Sequence, residues 1–225
     1  MSQRIYFVHS VSNLYGLFNE LCSKHLPEAH ITHLSDESLI QRALQAGGLT
    51  PGIIKRVCEH VTASEENGAD VVQVTCSSLS PAVEIAQQLV SIPVLTVDEP
   101  VARALVDKYE RIGVIATASS TLEPSVQMVN RMALLMKKKV KVTPVFCEGA
   151  YDAFFRGDLK RHDDIVLGKL RELMAKVDAV LLAQVSMARI AKLLGNDEKR
   201  IPVETSPEHA VIRLKEVLDT KVRTA

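Results

Sequence analysis

Short runs of β-branched apolar residues alternate along this chain with longer stretches in which apolar positions recur every three or four residues. The runs Ile5–His9, His30–Leu34, Val71–Thr75, Val94–Val97, Ile112–Thr117, Val140–Phe146, Ala179–Ala183 and Ile201–Val203 predict strands. The amphipathic stretches Leu14–His25, Gly52–Asn67, Pro81–Val90, Pro100–Tyr109, Pro124–Met136, Asp163–Lys176 and Pro207–Asp219 predict the intervening helices. Continuous apolar strands separated by helices of this length are the mark of a parallel sheet buried on both faces. The pattern therefore predicts an α/β fold with mostly parallel sheets.

The pattern also repeats. Arg4-Ile5 and Arg111-Ile112 open strands 107 residues apart, and each strand ends in a turn rich in Ser and Thr. Ala69-Asp70-Val71-Val72 through Cys76-Ser77-Ser78 aligns with Val177-Asp178-Ala179-Val180 through Gln184-Val185-Ser186, 108 residues later. Ile92-Pro93-Val94 returns as Ile201-Pro202-Val203 at a spacing of 109. Three matches in one order at nearly constant spacing predict two pseudo-symmetric lobes, each a mostly parallel sheet flanked by helices, with the active site in the cleft between them. Residues 1–98 with 206–225 form the expected N-terminal lobe and residues 99–205 the C-terminal one, the last helix packing back on the first lobe.

Composition narrows the function. The 225 residues carry 27 Lys+Arg against 27 Asp+Glu, so no basic excess is present to neutralise nucleic-acid phosphates. Aromatic residues make up 4% and Trp is absent, which leaves few platforms for stacking bases. Cys22, Cys58, Cys76 and Cys147 are widely spaced, with no C-x-x-C pair, as expected of reduced thiols in the cytoplasm. The apolar run after Gln3 is too short for a signal-peptide core, and no stretch is long enough to span a membrane.

Ligands of parallel α/β sheets bind beyond the carboxyl ends of the strands. Those ends are hydroxylic here: His9-Ser10-Val11-Ser12-Asn13, Thr75-Cys76-Ser77-Ser78, Thr117-Ala118-Ser119-Ser120-Thr121 and Gln184-Val185-Ser186. Each precedes a helix, so each turn is a candidate N-cap. Together, hydroxyls and free N–H groups would bind an anion, a carboxylate in particular, without a charged side chain. Cys76 stands out, because a thiol at a helix N-terminus is expected to have a lowered pKa and to serve as base or nucleophile. Cys22 and Cys58 lie inside helical patterns, and Glu148 beside Cys147 would oppose a thiolate there. The chain lacks G-x-G-x-x-G, G-x-x-x-x-G-K-[ST] and G-x-S-x-G, and the position six beyond Cys76 is Ala82 rather than Arg. His30 and His33 are three apart on a strand and point to opposite faces, so they read as surface histidines rather than metal ligands. Lys137-Lys138-Lys139 reads as a solvated helix end, and Asp163-Asp164 and Asp98-Glu99 as helix starts.

On these residues the chain resembles the Asp/Glu racemase superfamily, which includes hydantoin racemases, maleate isomerases and arylmalonate decarboxylase. The resemblance rests on Ala69–Val72 leading to Cys76-Ser77-Ser78, on both Ile-Pro-Val segments, on Arg111–Thr117 and on Asp178–Ala183, and so spans most of the chain. It implies a cofactor-independent, metal-free enzyme that moves a proton at the carbon next to the carboxylate of a small organic acid, with one cysteine from each lobe. Ser10, Asn13, Ser77, Ser78, Thr117, Ser119, Ser120, Thr121, Val185 and Ser186 become the candidate substrate-binding residues. Family members often pair as dimers, which leaves a homodimer open. The second family cysteine is replaced by Gln184, an amide that cannot exchange a proton at neutral pH. Three readings follow: an isomerase, decarboxylase or lyase using Cys76 alone; a racemase whose second base is another residue, His9 or Glu204; or a small-molecule binding protein without turnover. Ser77-Ser78, where amino-acid racemases of the family carry Asn-Thr, argues against free aspartate or glutamate.

Overall fold

The computed structural model describes residues 3–224 apart from 196, 197 and 199. The first unit comprises the chain up to Val97 together with the segment from Pro207 onward. Here β1 (Arg4–His9), β2 (His30–Ser35), β3 (Val71–Val74) and β4 (Val94–Thr96) form one parallel sheet in the order β2-β1-β3-β4. The connections are α1 (Tyr15–His25), α2 (Ser38–Ala46) with α3 (Pro51–Glu66), and α4 (Ser80–Ala86). In the second unit, Asp98–Ser206, α5 (Glu99–Lys108) leads into β5 (Arg111–Ala116), α6 (Ser119–Leu135), β6 (Lys141–Phe146), α7 (Ala150–Phe155), α8 (Leu159–Met174), β7 (Ala179–Leu182), α9 (Ala188–Leu193) and β8 (Val203–Thr205). Its parallel sheet runs β6-β5-β7-β8, the same order one repeat later. The final helix α10 (Ser206–Thr224) belongs, from Pro207, to the first unit, where Glu208 pairs with Lys24 and His25 of α1.

The sequence repeat has a hydrogen-bonding cause. Asp70 accepts from the backbone N–H of Arg4 at 2.7 Å and returns its own N–H to the Arg4 carbonyl at 2.8 Å. Asp178 does the same for Arg111, at 3.0 and 2.7 Å, and adds a guanidinium pair. In both units this clamp fixes the register between the first strand and its inner neighbour. The two Ile-Pro-Val segments play equivalent parts. The Pro93 carbonyl accepts from Val72 N–H at 3.0 Å, and the Pro202 carbonyl from Val180 N–H at 2.9 Å. Proline, without an N–H of its own, still supplies that acceptor at the start of an edge strand.

Apolar residues of the strands fill both faces of each sheet. Val8, Val72 and Val74 pack with Leu39, Val57 and Leu79 from the helices of the first unit. In the second, Val114 and Leu181 face Val129 and Met132, while Ile115 and Leu182 face Val166 and Leu170 on the other side. Gly113 in β5 is required by this packing, since a Cβ there would lie 2.7 Å from Leu173 Cδ2 and 2.8 Å from its Cγ. Gly113→Ala is therefore expected to cost about 1–3 kcal/mol through overpacking, read as a lower urea midpoint at unchanged m-value.

Several boundaries differ from the sequence expectation. α6 starts at Ser119, not Pro124, so Ser119, Ser120 and Thr121 form its first turn. Pro124 is tolerated there because its missing N–H forfeits only one early bond, to the carbonyl four residues back. α8 starts at Leu159 with Asp158 as its cap, accepting from Arg161 N–H at 3.1 Å, and Asp163-Asp164 lie in its second turn. Asp163 instead accepts from Arg189 at 2.7 Å and contacts His162 at 2.9 Å. The helical stretch from Pro81 ends at Ala86 and continues as a 3-10 turn, Gln87–Leu89. Among the described residues, no helix is long and apolar enough to cross a membrane.

Candidate active site

The strand order of the first unit reverses between β1 and β3, so the chain leaves their carboxyl ends in opposite directions, the place where parallel α/β sheets bind ligands. β1 delivers His9 and Ser10 to this point, and β3 delivers Thr75 and Cys76 beside them, held by Thr75 N–H donating to the Val8 carbonyl at 3.0 Å. The chain after Cys76 turns first through a 3-10 segment, Ser77–Leu79, before α4 begins. That tight turn folds its N–H groups back onto the thiol. The hydroxyls of Ser10 and Ser78 and the Ser78 N–H lie against the sulfur, as does the Leu79 N–H, which is itself donated to the Cys76 carbonyl at 2.9 Å. All four favour a thiolate, yet burial outweighs them and pushes the thiol above its ordinary range. The expected lowering of the Cys76 pKa is thus corrected: removal from water costs the anion more than the donors restore. At neutral pH Cys76 holds its proton, inside a cradle ready for the anion that remains when the proton leaves.

Burial keeps the other three thiols protonated as well. Burial pushes Cys22 and Cys147 up to about 11 and also raises Cys58. For Cys147 the dominant cause is burial against the core beside Val166 and Leu170, not Glu148 as the sequence suggested.

The equivalent position in the second unit is Gln184. Its backbone, at φ −123° and ψ 137°, reproduces that of Cys76 at φ −118° and ψ 115°, and a 3-10 turn, Val185–Met187, again follows. Gln184 Oε1 accepts from Thr117 N–H at 2.6 Å, Thr117 Oγ1 at 2.9 Å and Ala118 N–H at 3.1 Å. Thr117 stands in the repeat where Ser10 stands in the first unit, so the hydroxyl that meets sulfur in one unit meets an amide carbonyl in the other. The expectation that the turn at Thr117 offers free N–H groups to an anion is corrected, because Gln184 consumes two of them. The first turn is likewise partly occupied: Glu37 Oε1 accepts from the N–H and hydroxyl of Ser12 at 3.1 and 2.7 Å.

Of the candidate binding residues, Ser10, Ser77 and Ser78 are buried around Cys76, and Thr117 is buried beside Gln184. Ser120, Thr121 and Val185 are also buried, Ser186 is half-buried, and Ser119 and Asn13 are exposed. Glu204 sits half-buried in the edge strand β8, in register with Leu181. Among the described residues no group of His, Cys, Asp and Glu side chains has the arrangement of a metal site.

His9 takes a different part from the replacement base expected of it. It is fully buried on the α1 face of the sheet, stacked among Phe7, Phe18, Tyr15 and His33. Both ring nitrogens are engaged, Nδ1 with Thr75 Oγ1 at 2.8 Å and Nε2 with His33 Nδ1 at 2.9 Å. Neither nitrogen is free to meet a ligand directly. Burial, with His33 adding to it, pulls His9 down to about 3. His33 is not the surface residue that its strand position suggests. It is half-buried, stacks on Tyr15 with ring centroids 4.5 Å apart, and bonds through Nε2 to Asn19 Oδ1 at 3.0 Å.

The unfolded chain binds a proton at His9 from about pH 6.5 downward, whereas the folded chain resists it until about pH 3. Stability is therefore full above pH 6.5 and falls as pH drops through this window, by up to roughly 4 kcal/mol from His9. Urea midpoints of the wild type should decline more steeply between pH 6.5 and 4 than those of His9→Gln.

A profile of Asp/Glu/hydantoin racemases matches residues 8–211, most of the chain. The chain belongs to this family. Its fold matches a glutamate racemase from Bacillus anthracis with a TM-score of 0.74 at 20% identity, covering 97% of this chain and 82% of that one. It matches an aspartate racemase from Picrophilus torridus at 0.72 and 13% identity, over 96% and 95% of the two chains. An allantoin racemase from Klebsiella pneumoniae gives 0.65 and 17%, over 98% and 89%. No curated protein is similar enough in sequence to count as a relative. Membership places the chain among racemases and isomerases, and the four-stranded parallel sheet of each unit is the architecture the family resemblance implies.

Proposed function

We propose that this racemase-family protein is a cofactor-independent enzyme that acts at the carbon next to the carboxylate of a small organic acid, with Cys76 as its one proton-transferring thiol. The observation that carries the reading is the state of the two equivalent positions. Cys76 is a thiol that burial keeps protonated beside the hydroxyls of Ser10 and Ser78, and Gln184 is an amide whose oxygen accepts from Thr117 and Ala118. A thiol that burial keeps protonated has a proton to give and no thiolate with which to take one; it is a weaker acid than an exposed thiol but far stronger than the carbon acid it would form. When its proton departs, the hydroxyls of Ser10 and Ser78 and the Ser78 N–H are at hand to support the thiolate.

The chemistry that fits is protonation of a carbanion made without a second base. In a substrate with two carboxylates on one carbon, the bond from that carbon to one carboxylate breaks. CO2 leaves, and the electron pair remains as an enediolate on the other carboxylate. The Cys76 S–H proton passes to carbon, and the thiolate recovers a proton from water. Thiol addition to a double bond would instead need the thiolate first, which burial disfavours. A panel of 2-substituted malonates, cis-alkene dicarboxylates and chiral α-substituted monocarboxylates separates the readings. CO2 release from the malonates, lost in Cys76→Ser, is the expected result. Double-bond isomerisation or racemisation would replace the proposal, and saturable binding with no turnover would make the protein a ligand carrier.

A further inference from the structure

His33 lies on β2, away from the thiol, but it closes a hydrogen-bonded chain that runs from Asn19 through His33 and His9 to Thr75, the residue before Cys76. The partners fix the direction of the bonds. Asn19 Oδ1 is an acceptor, so His33 donates from Nε2 at 3.0 Å and keeps a lone pair on Nδ1. His9 therefore donates from Nε2 to that lone pair at 2.9 Å, and its own Nδ1 accepts from the Thr75 hydroxyl at 2.8 Å. Every group is satisfied with both rings neutral.

Thr75 has a second acceptor in reach, the Val8 carbonyl at 3.2 Å. This makes a second complete arrangement available after the addition of one proton. His33 then carries both ring protons, donating to Asn19 and to His9 Nε2. His9 stays neutral with its proton on Nδ1, donating to Thr75, and Thr75 donates to Val8. In net terms one solvent proton arrives at His9 Nδ1, the proton between the rings moves from His9 Nε2 to His33 Nδ1, and the positive charge rests on His33. That ring is half-buried where His9 is fully buried, so it is the cheaper place for a charge.

We propose that Asn19, His33, His9 and Thr75 form a one-proton switch that turns the Thr75 hydroxyl between His9 and the Val8 carbonyl, one residue from the reacting thiol. Only its bearing on catalysis rests on the function proposed for Cys76; the switch itself does not. The titratable groups packed against the His33 ring are His9 from β1 and the Tyr15 phenol from α1. Asp36, whose N–H donates to the His9 carbonyl, has its carboxylate committed to Arg56 and His60, and Glu20 beside Asn19 is exposed. Burial lowers both histidines, which keeps the neutral arrangement in place near pH 7.

The test is imidazole nitrogen NMR on the intact protein across a pH titration. The expected result is that both rings carry their proton on Nε2 at neutral pH, and that as His33 titrates, His9 moves its proton to Nδ1 while staying neutral. Asn19→Asp at an exposed position offers a carboxylate to His33 and should raise the midpoint of both changes together by about one pH unit. His33→Gln should abolish the tautomer change at His9. If His9 keeps its Nε2 proton while His33 titrates, or starts with the proton on Nδ1, the switch is overturned, and the wild type alone decides this. Cys76→Ser removes the proposed chemistry but should leave the switch intact, so failure of one reading is not failure of the other.

Discussion

Cys76→Ala is expected to lower turnover by about 10³-fold, the scale of losing a positioned general acid, while leaving the fold in place. Removing this small side chain frees the hydroxyls of Ser10 and Ser78 and the Ser78 N–H for a water in its place, while the Leu79 N–H keeps the carbonyl of residue 76, so circular dichroism and the urea midpoint should change little. Cys76→Ser is the sharper comparison. It retains a hydrogen-bonding group of similar size, but a hydroxyl parts with its proton far less readily than a thiol. Its activity should therefore lie close to that of Cys76→Ala rather than to the wild type. A serine variant with near wild-type turnover would mean that Cys76 binds rather than donates.

Gln184 carries the second large effect, and it divides into two parts that separate variants resolve. Gln184→Ala strands the N–H groups of Thr117 and Ala118, both buried, together with the Thr117 hydroxyl. Leaving buried donors unpaired costs about 1–3 kcal/mol, so the chemical-denaturation midpoint should fall accordingly. Gln184→Glu supplies the same acceptor with a stronger charge and should hold the turn at wild-type stability, while losing the amide N–H2 as a donor. If activity falls in Gln184→Glu with stability retained, the amide nitrogen contributes to the reaction; if both survive, Gln184 serves the turn alone. Gln184→Cys restores the second thiol of the family pattern. A gain of proton exchange in that variant would show that the wild-type reaction is one-sided because this position has no acid–base group.

Much of the fold is legible in the apolar runs, because a strand buried on both faces has nowhere to place a polar residue. β1, β3, β5 and β7 appear within a residue or so of their predicted limits, and the Arg–Asp clamp explains why the repeat survives in the letters. The short helices α2, α7 and α9 escape the pattern because each has nine residues or fewer, too few for a helical period to stand out from the loops beside it. The position of Cys76 and the equivalence of Gln184 can also be read from the repeat. Their chemistry cannot, because burial decides the charge of the thiol and three donors from a loop 67 or 66 residues away decide what the amide does. His33 is invisible to local reasoning for the same reason: its partner His9 is 24 residues away, across a strand pairing. Period-two alternation rightly sets His30 and His33 on opposite faces but does not say that α1 covers one of them.

One-thiol chemistry predicts a stereochemical outcome that no structural role can imitate. The direct measurement is turnover of a prochiral 2,2-disubstituted malonate in D2O, with the α-deuterated product resolved by chiral chromatography. The expected product is one enantiomer, bearing one deuterium delivered from the face that Cys76 occupies, with no further exchange on prolonged incubation. A racemic product, or continued wash-in at the α-carbon, would require a second acid–base group opposite Cys76 and would contradict one-thiol chemistry.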